Sequence, residues 1–99
     1  MKKITEKAAA SFNAGENFRL NNTVVKVDNE GNKFMYLWGN LIARQYAGQK
    51  VEICMQGYNT VTTRERLNGL AGVDLRCKNF TPYLNGVEIS SDEWITVGA

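Results

Sequence analysis

NTVTTRERLNGLAGVDL, residues 59–75, is the stretch on which the reading of the fold turns. Thr62 and Glu65 stand in the S/T-x-x-E spacing of a capping box. In that motif the threonine hydroxyl accepts from the backbone at Glu65, and the glutamate reaches back to the free N–H of Thr62. Leu67 and Leu70 share one helical face, and Gly72 is placed to end the turn. The spacing predicts a short helix over residues 62–71. The following VDLRC changes period: Val73, Leu75 and Cys77 point one way, and Asp74, Arg76 and Lys78 the other, as in a half-buried strand. A helix running directly into a strand implies a mixed fold.

Working outward, MKKITEKAAASFNAG has helical character, because Ile4, Ala8 and Phe12 recur at i, i+4 and i+8 and alanine favours helix. Thr5 is the expected N-cap, Glu6 suits the first turn, and Gly15 is the expected stop. From residue 18 onward the period is that of strands. FRLNNTVVKV reads as one strand leading into the turn DNEGN, and KFMYLW returns with Phe34, Tyr36 and Trp38 on one side and Met35 and Leu37 on the other. Apolar residues on both sides predict a central strand covered on both faces. GN at 39–40, LIARQY, AGQ and KVEICM continue the pattern, with connections too short for parallel pairing. FTPYL and VEI flank Asn85-Gly86, a strong hairpin signal, and the tail ends in an edge segment anchored by Trp94. Pro82 predicts an edge strand or a bulge. The fold class is α+β: an antiparallel meander of about six short strands with an N-terminal helix and a second short helix, in one domain over residues 1–99.

Composition narrows function. The chain has no histidine and only two cysteines, Cys54 and Cys77, which read as buried thiols. Without imidazole there is no Ser-His or Cys-His nucleophile and no common transition-metal ligand. Two isolated cysteines do not make a zinc site, and no phosphate-binding loop occurs. The expectation is a protein that is not an enzyme and takes no cofactor or metal. Net charge is +2 with acids interspersed among the bases, too mild to imply nucleic acid or membrane by itself. Glu6 and Lys7 interrupt any apolar signal segment, and no run approaches the ~18 apolar residues of a membrane span. The expected location is the cytoplasm.

The pattern NTVTTRERLNGLAGV, preceded by FMYLWGNLIA and followed by YLNG and DEWI, resembles a family of small uncharacterised bacteriophage proteins, over nearly the whole chain. The resemblance implies a phage origin and action in the infected cell's cytoplasm, and brings no assigned activity or catalytic residue. On the residues themselves, two surfaces are candidates for binding. Thr62, Thr63, Arg64 and Arg66 gather at a helix start, where free N–H groups and arginine forks suit an anion. Tyr46, Tyr58, Tyr83 and Trp94 sit beside turns and are expected at a rim, where exposed aromatics next to arginines have the make-up of a protein–protein hot spot. The leading expectation is binding to a host or bacterial-defence protein. The alternatives are nucleic-acid binding through Arg64, Arg66, Arg76 and Lys78, or sequestration of a small phosphorylated ligand at the helix start. Unpaired sheet edges also predict a homodimer.

Overall fold

Twelve alanine-rich residues form α1 (Lys3–Ala14) in the computed structural model, which describes residues 1–98. Gly15 ends the helix at φ 71°, as its position predicts, with its N–H on the carbonyl of Phe12. Thr5 is not the N-cap. The cap is Lys2, three residues earlier, and Thr5 is buried within the helix beside Ala8, Ala9 and Phe12, while Ile4 is only half-buried.

Nine strands follow among the described residues: β1 (Phe18–Leu20), β2 (Thr23–Val27), β3 (Lys33–Leu37), β4 (Asn40–Gln45), β5 (Glu52–Ile53), β6 (Leu75–Lys78), β7 (Thr81–Leu84), β8 (Val87–Glu88) and β9 (Ile95–Thr96). The second helix, α2 (Val61–Leu67), lies between β5 and β6. A six-stranded antiparallel sheet runs in the order β1-β2-β3-β4-β5-β9, and β6-β7-β8 form a separate three-stranded sheet. The α+β class and the meander are as the pattern predicts. The stretch 18–27 is two strands rather than one, because Asn21 takes φ 51° and turns the chain between Leu20 and Thr23.

Pairing of Met35 with Ala43 and of Tyr36 with Leu41 leaves Ile42 as an extra residue, a bulge that buries Ile42 and Ala43 in succession. The core lies on one face only of the large sheet. Val25, Met35, Leu37, Ala43 and Ile53 pack there against Ala8, Ala9 and Phe12 of α1 and Leu67 of α2. Each fully buried Phe, Met, Leu or Ile contributes about 1.5–3 kcal/mol. Phe34 and Tyr36, on the other face, remain half-buried, so β3 is not covered on both sides. Pro82 lies in the middle strand of the small sheet, not at an edge. Its absent N–H points toward β8, which ends at Glu88, and only the bond from Ile89 N to the Pro82 carbonyl (3.1 Å) is made there.

The second helix differs from its predicted form. Thr60, not Thr62, is the cap, its Oγ1 accepting from Thr63 N at 3.2 Å. Glu65 turns away from the expected capping box and accepts from the backbone N–H of Lys2 at 3.1 Å. That bond holds its carboxyl below the ordinary carboxylate range. The helix stops at Leu67 because Asn68 bonds forward, donating to the Leu75 carbonyl (3.0 Å) and accepting from its N–H (2.6 Å).

Arg66 is only 4% exposed. Its Nε donates to Thr23 Oγ1 (2.9 Å), one terminal nitrogen to Thr5 Oγ1 (2.8 Å), and the other to Asn22 Oδ1 (3.4 Å). Burial lowers its pKa, opposed by the neighbouring Glu65 carboxylate, and guanidinium still stays charged. Thr5 is crowded from the other side by Gly69, where an added Cβ would sit 2.7 Å from Thr5 Cγ2 and 3.3 Å from Ala9 Cβ. Arg66→Ala removes the charged donor from two buried threonine hydroxyls and opens a cavity, so urea denaturation is expected to show a loss of about 2–4 kcal/mol. Arg66→Lys should recover less than half, because an ammonium lacks the planar fork. Gly69→Ala should cost about 1–3 kcal/mol by overpacking in the same assay.

Candidate functional site

Two hairpin turns and one loop converge at the end of the molecule that carries the start of α2. The turn between β3 and β4 closes on the pair Leu37–Asn40, leaving Trp38 (φ 48°) and Gly39 (φ 80°) in left-handed conformations. Trp38 is therefore a turn residue and not the third outward residue of β3. Its N–H donates to the Asn22 carbonyl at 2.8 Å, which keeps the turn in place. The turn between β6 and β7 closes on Lys78–Thr81 and sets Asn79 (φ 52°) and Phe80 (φ 66°) in the same region. Two-residue hairpins favour this geometry but want glycine or asparagine in it. A bulky side chain there costs about 1–2 kcal/mol.

Asn59 joins these turns to α2. Its amide donates to the Phe80 carbonyl (3.2 Å) and to Cys77 Sγ (3.5 Å), while its Oδ1 accepts from Arg64. Tyr58 precedes it and faces Trp38 across a hollow of about 300 Å³, floored by Leu37, Ile42 and Met55. Trp38 is 64%, Tyr58 56%, Val61 75% and Phe80 96% exposed. An apolar hollow with aromatic walls and few polar groups is built to take an apolar side chain of a partner.

The residues singled out from sequence are dispersed. Tyr58, Thr62, Thr63 and Arg64 surround this end, with Thr63 buried and its Oγ1 3.0 Å from that of Thr60. Arg66 faces the core and is occupied there, so the helix start does not offer its guanidinium to an anion from solvent. Arg76, Lys78 and Tyr83 share the outer face of the small sheet, where Arg76 pairs with Asp74 at 3.1 Å, an exposed contact of little worth. Trp94 lies on the open face of the large sheet, against Arg44. Cys54 is buried as expected, but Cys77 is exposed, because β6 leaves the core after Leu75. Trp38, Val61 and Phe80 were not among the expected binding residues. For Trp38 and Phe80 the signal is an aromatic beside a turn-former, in Trp38-Gly39 and Asn79-Phe80, while Val61 carries none.

The groups whose pKa moves, Asp28, Glu65 and Arg66, do not line the hollow. Among the described residues no cluster of His, Cys, Asp or Glu is placed to hold a metal ion, and no helix is long and apolar enough to cross a membrane. The site is suited to burying apolar surface. Phe80→Gly relieves the left-handed strain and is expected to raise stability by about 1 kcal/mol, or roughly 4–8 °C in Tm by calorimetry.

A family model described as Kyanoviridae Gp96 protein matches residues 1–98. No curated protein and no solved structure matches the chain.

Proposed function

Because this chain belongs to the Kyanoviridae Gp96 family of phage proteins, we propose that it is a non-enzymatic binding protein that engages a host or bacterial-defence protein in the infected cell's cytoplasm. The observation that carries this reading is the pair of exposed rings Trp38 and Tyr58 about one hollow, with the exposed Phe80 tied to the neighbouring Asn59 and both Trp38 and Phe80 held in left-handed turns. Backbone strain that exposes an apolar ring has no benefit to folding. Strained residues persist where the surface they present is useful. Aromatic anchors around a desolvated hollow are also the usual centre of interface energy.

The test is affinity capture from a host lysate with three baits: the natural chain, Phe80→Gly and Tyr58→Ser. A protein held by the natural chain should be lost or weakened at least about tenfold with both variants, as hot-spot truncations cost 2 kcal/mol or more. Equal capture by all three baits, with both variants folded by circular dichroism, would reject this site as the binding surface.

A further inference from the structure

The face of the six-stranded sheet opposite the helices is lined with side chains that neither the core nor the aromatic end accounts for. The strand register places them in two rows. One runs Lys26, Phe34, Arg44, Glu52 and Thr96 across β2, β3, β4, β5 and β9, and the other runs Arg19, Val24, Tyr36 and Leu41 across β1 to β4. All of these residues are half-buried or exposed, so no other part of the described chain seals this face.

Cations and aromatic rings alternate there at short range. Lys26 Nζ stands 5.5 Å from the centroid of Tyr36. The Arg44 guanidinium carbon is 3.9 Å from the Trp94 ring and 5.8 Å from that of Tyr46, which meets Phe34 edge-on at 6.1 Å. Glu52 is the one carboxylate in the two rows, and Arg44 Nε already pairs with it at 2.9 Å. Arg19 and Lys26 are left without an acid in these rows. They flank a hollow of about 370 Å³ whose walls include Tyr36 and, at its rim, Trp38.

We propose that this open sheet face binds single-stranded nucleic acid, with Arg19 and Lys26 taking phosphates and Tyr36, Phe34, Tyr46 and Trp94 offering rings to unpaired bases. The charge is complementary to a phosphate backbone, and rings beside cations are the means by which sheets hold single strands without reading sequence. From Lys26 to Arg44, against which the Trp94 ring lies, the track crosses two strand spacings, about 10 Å, room for a short run of nucleotides. A duplex is the poorer fit, since its bases are stacked on one another, and two free cations neutralise too little of its charge. An acidic protein surface would be met by the cations but would leave the row of rings unused.

The probe is a fluorescently labelled mixed-sequence 12-nucleotide DNA, titrated by anisotropy. With two or three phosphates neutralised, affinity should fall roughly 7- to 20-fold between about 50 and about 200 mM salt. The double variant Arg19→Glu with Lys26→Glu, both at exposed positions, should weaken binding at least tenfold, and Tyr36→Ala should weaken it about tenfold through lost stacking. Phe80→Gly, and Arg76→Ala with Lys78→Ala, should bind as the natural chain does. Absence of binding at low salt overturns the proposal. So does preference for duplex, binding unmoved by the Arg19 and Lys26 changes, binding unmoved by Tyr36→Ala, or loss with the Arg76 and Lys78 changes instead. Capture of a host protein that depends on Arg19 and Lys26, with no DNA binding, overturns it in favour of a protein partner at this face.

Discussion

A single buried cation organises the way the helices meet the sheet. Arg66 enters the interior without a carboxylate partner and spends its donors on neutral oxygens of α1, of β2 and of the turn before β2. Taking a guanidinium out of water is costly, and the cost is met only when the fork is satisfied in good geometry. That demand sets the position of α2 relative to Thr5 and Thr23 together. Gly69 allows the approach, since any side chain there would strike Thr5. Among the described residues no buried side-chain nitrogen or oxygen lacks a partner, so the polar centre closes on itself.

The aromatic end inherits its geometry from this arrangement. The start of α2 carries Thr60 as its cap, and the loop leading into it carries Tyr58 and Asn59. Asn59 is bonded at once to Arg64 of the helix and to the tip of the β6–β7 hairpin. Seating α2 therefore also places Tyr58 opposite Trp38 and fixes the turn that holds Phe80 outward. The strained turns run against local preference, and such departures are expected where a surface serves something other than folding.

The two faces of the large sheet divide the molecule's tasks. One is consumed by the helices and supplies the hydrophobic stabilisation. The other keeps its rings half-exposed, and its Arg44 is shared between Trp94, Tyr46 and Glu52. Both helices pack on the first face, and no other described segment covers the second. An antiparallel sheet with one face open is the natural outcome.

Several elements were legible in the chain itself because their causes are local. Gly15 as a helix stop, the Asn85-Gly86 hairpin and the alternation around Met35 and Leu37 depend on neighbours a few residues away. The same locality explains the errors at Thr62 and Trp38, where two good candidates for one role lay within two residues of each other. What only the tertiary structure decided was direction and cover. Arg66 points inward because Thr5 and Thr23, 61 and 43 residues distant, supply its acceptors. Cys77 points outward because its strand has passed the edge of the core. Phe34 and Tyr36 stay half-exposed because both helices pack on the opposite face. A period of two or of 3.6 residues tells which side chains share a face, but which face meets protein and which meets water depends on contacts that form only when the chain closes on itself.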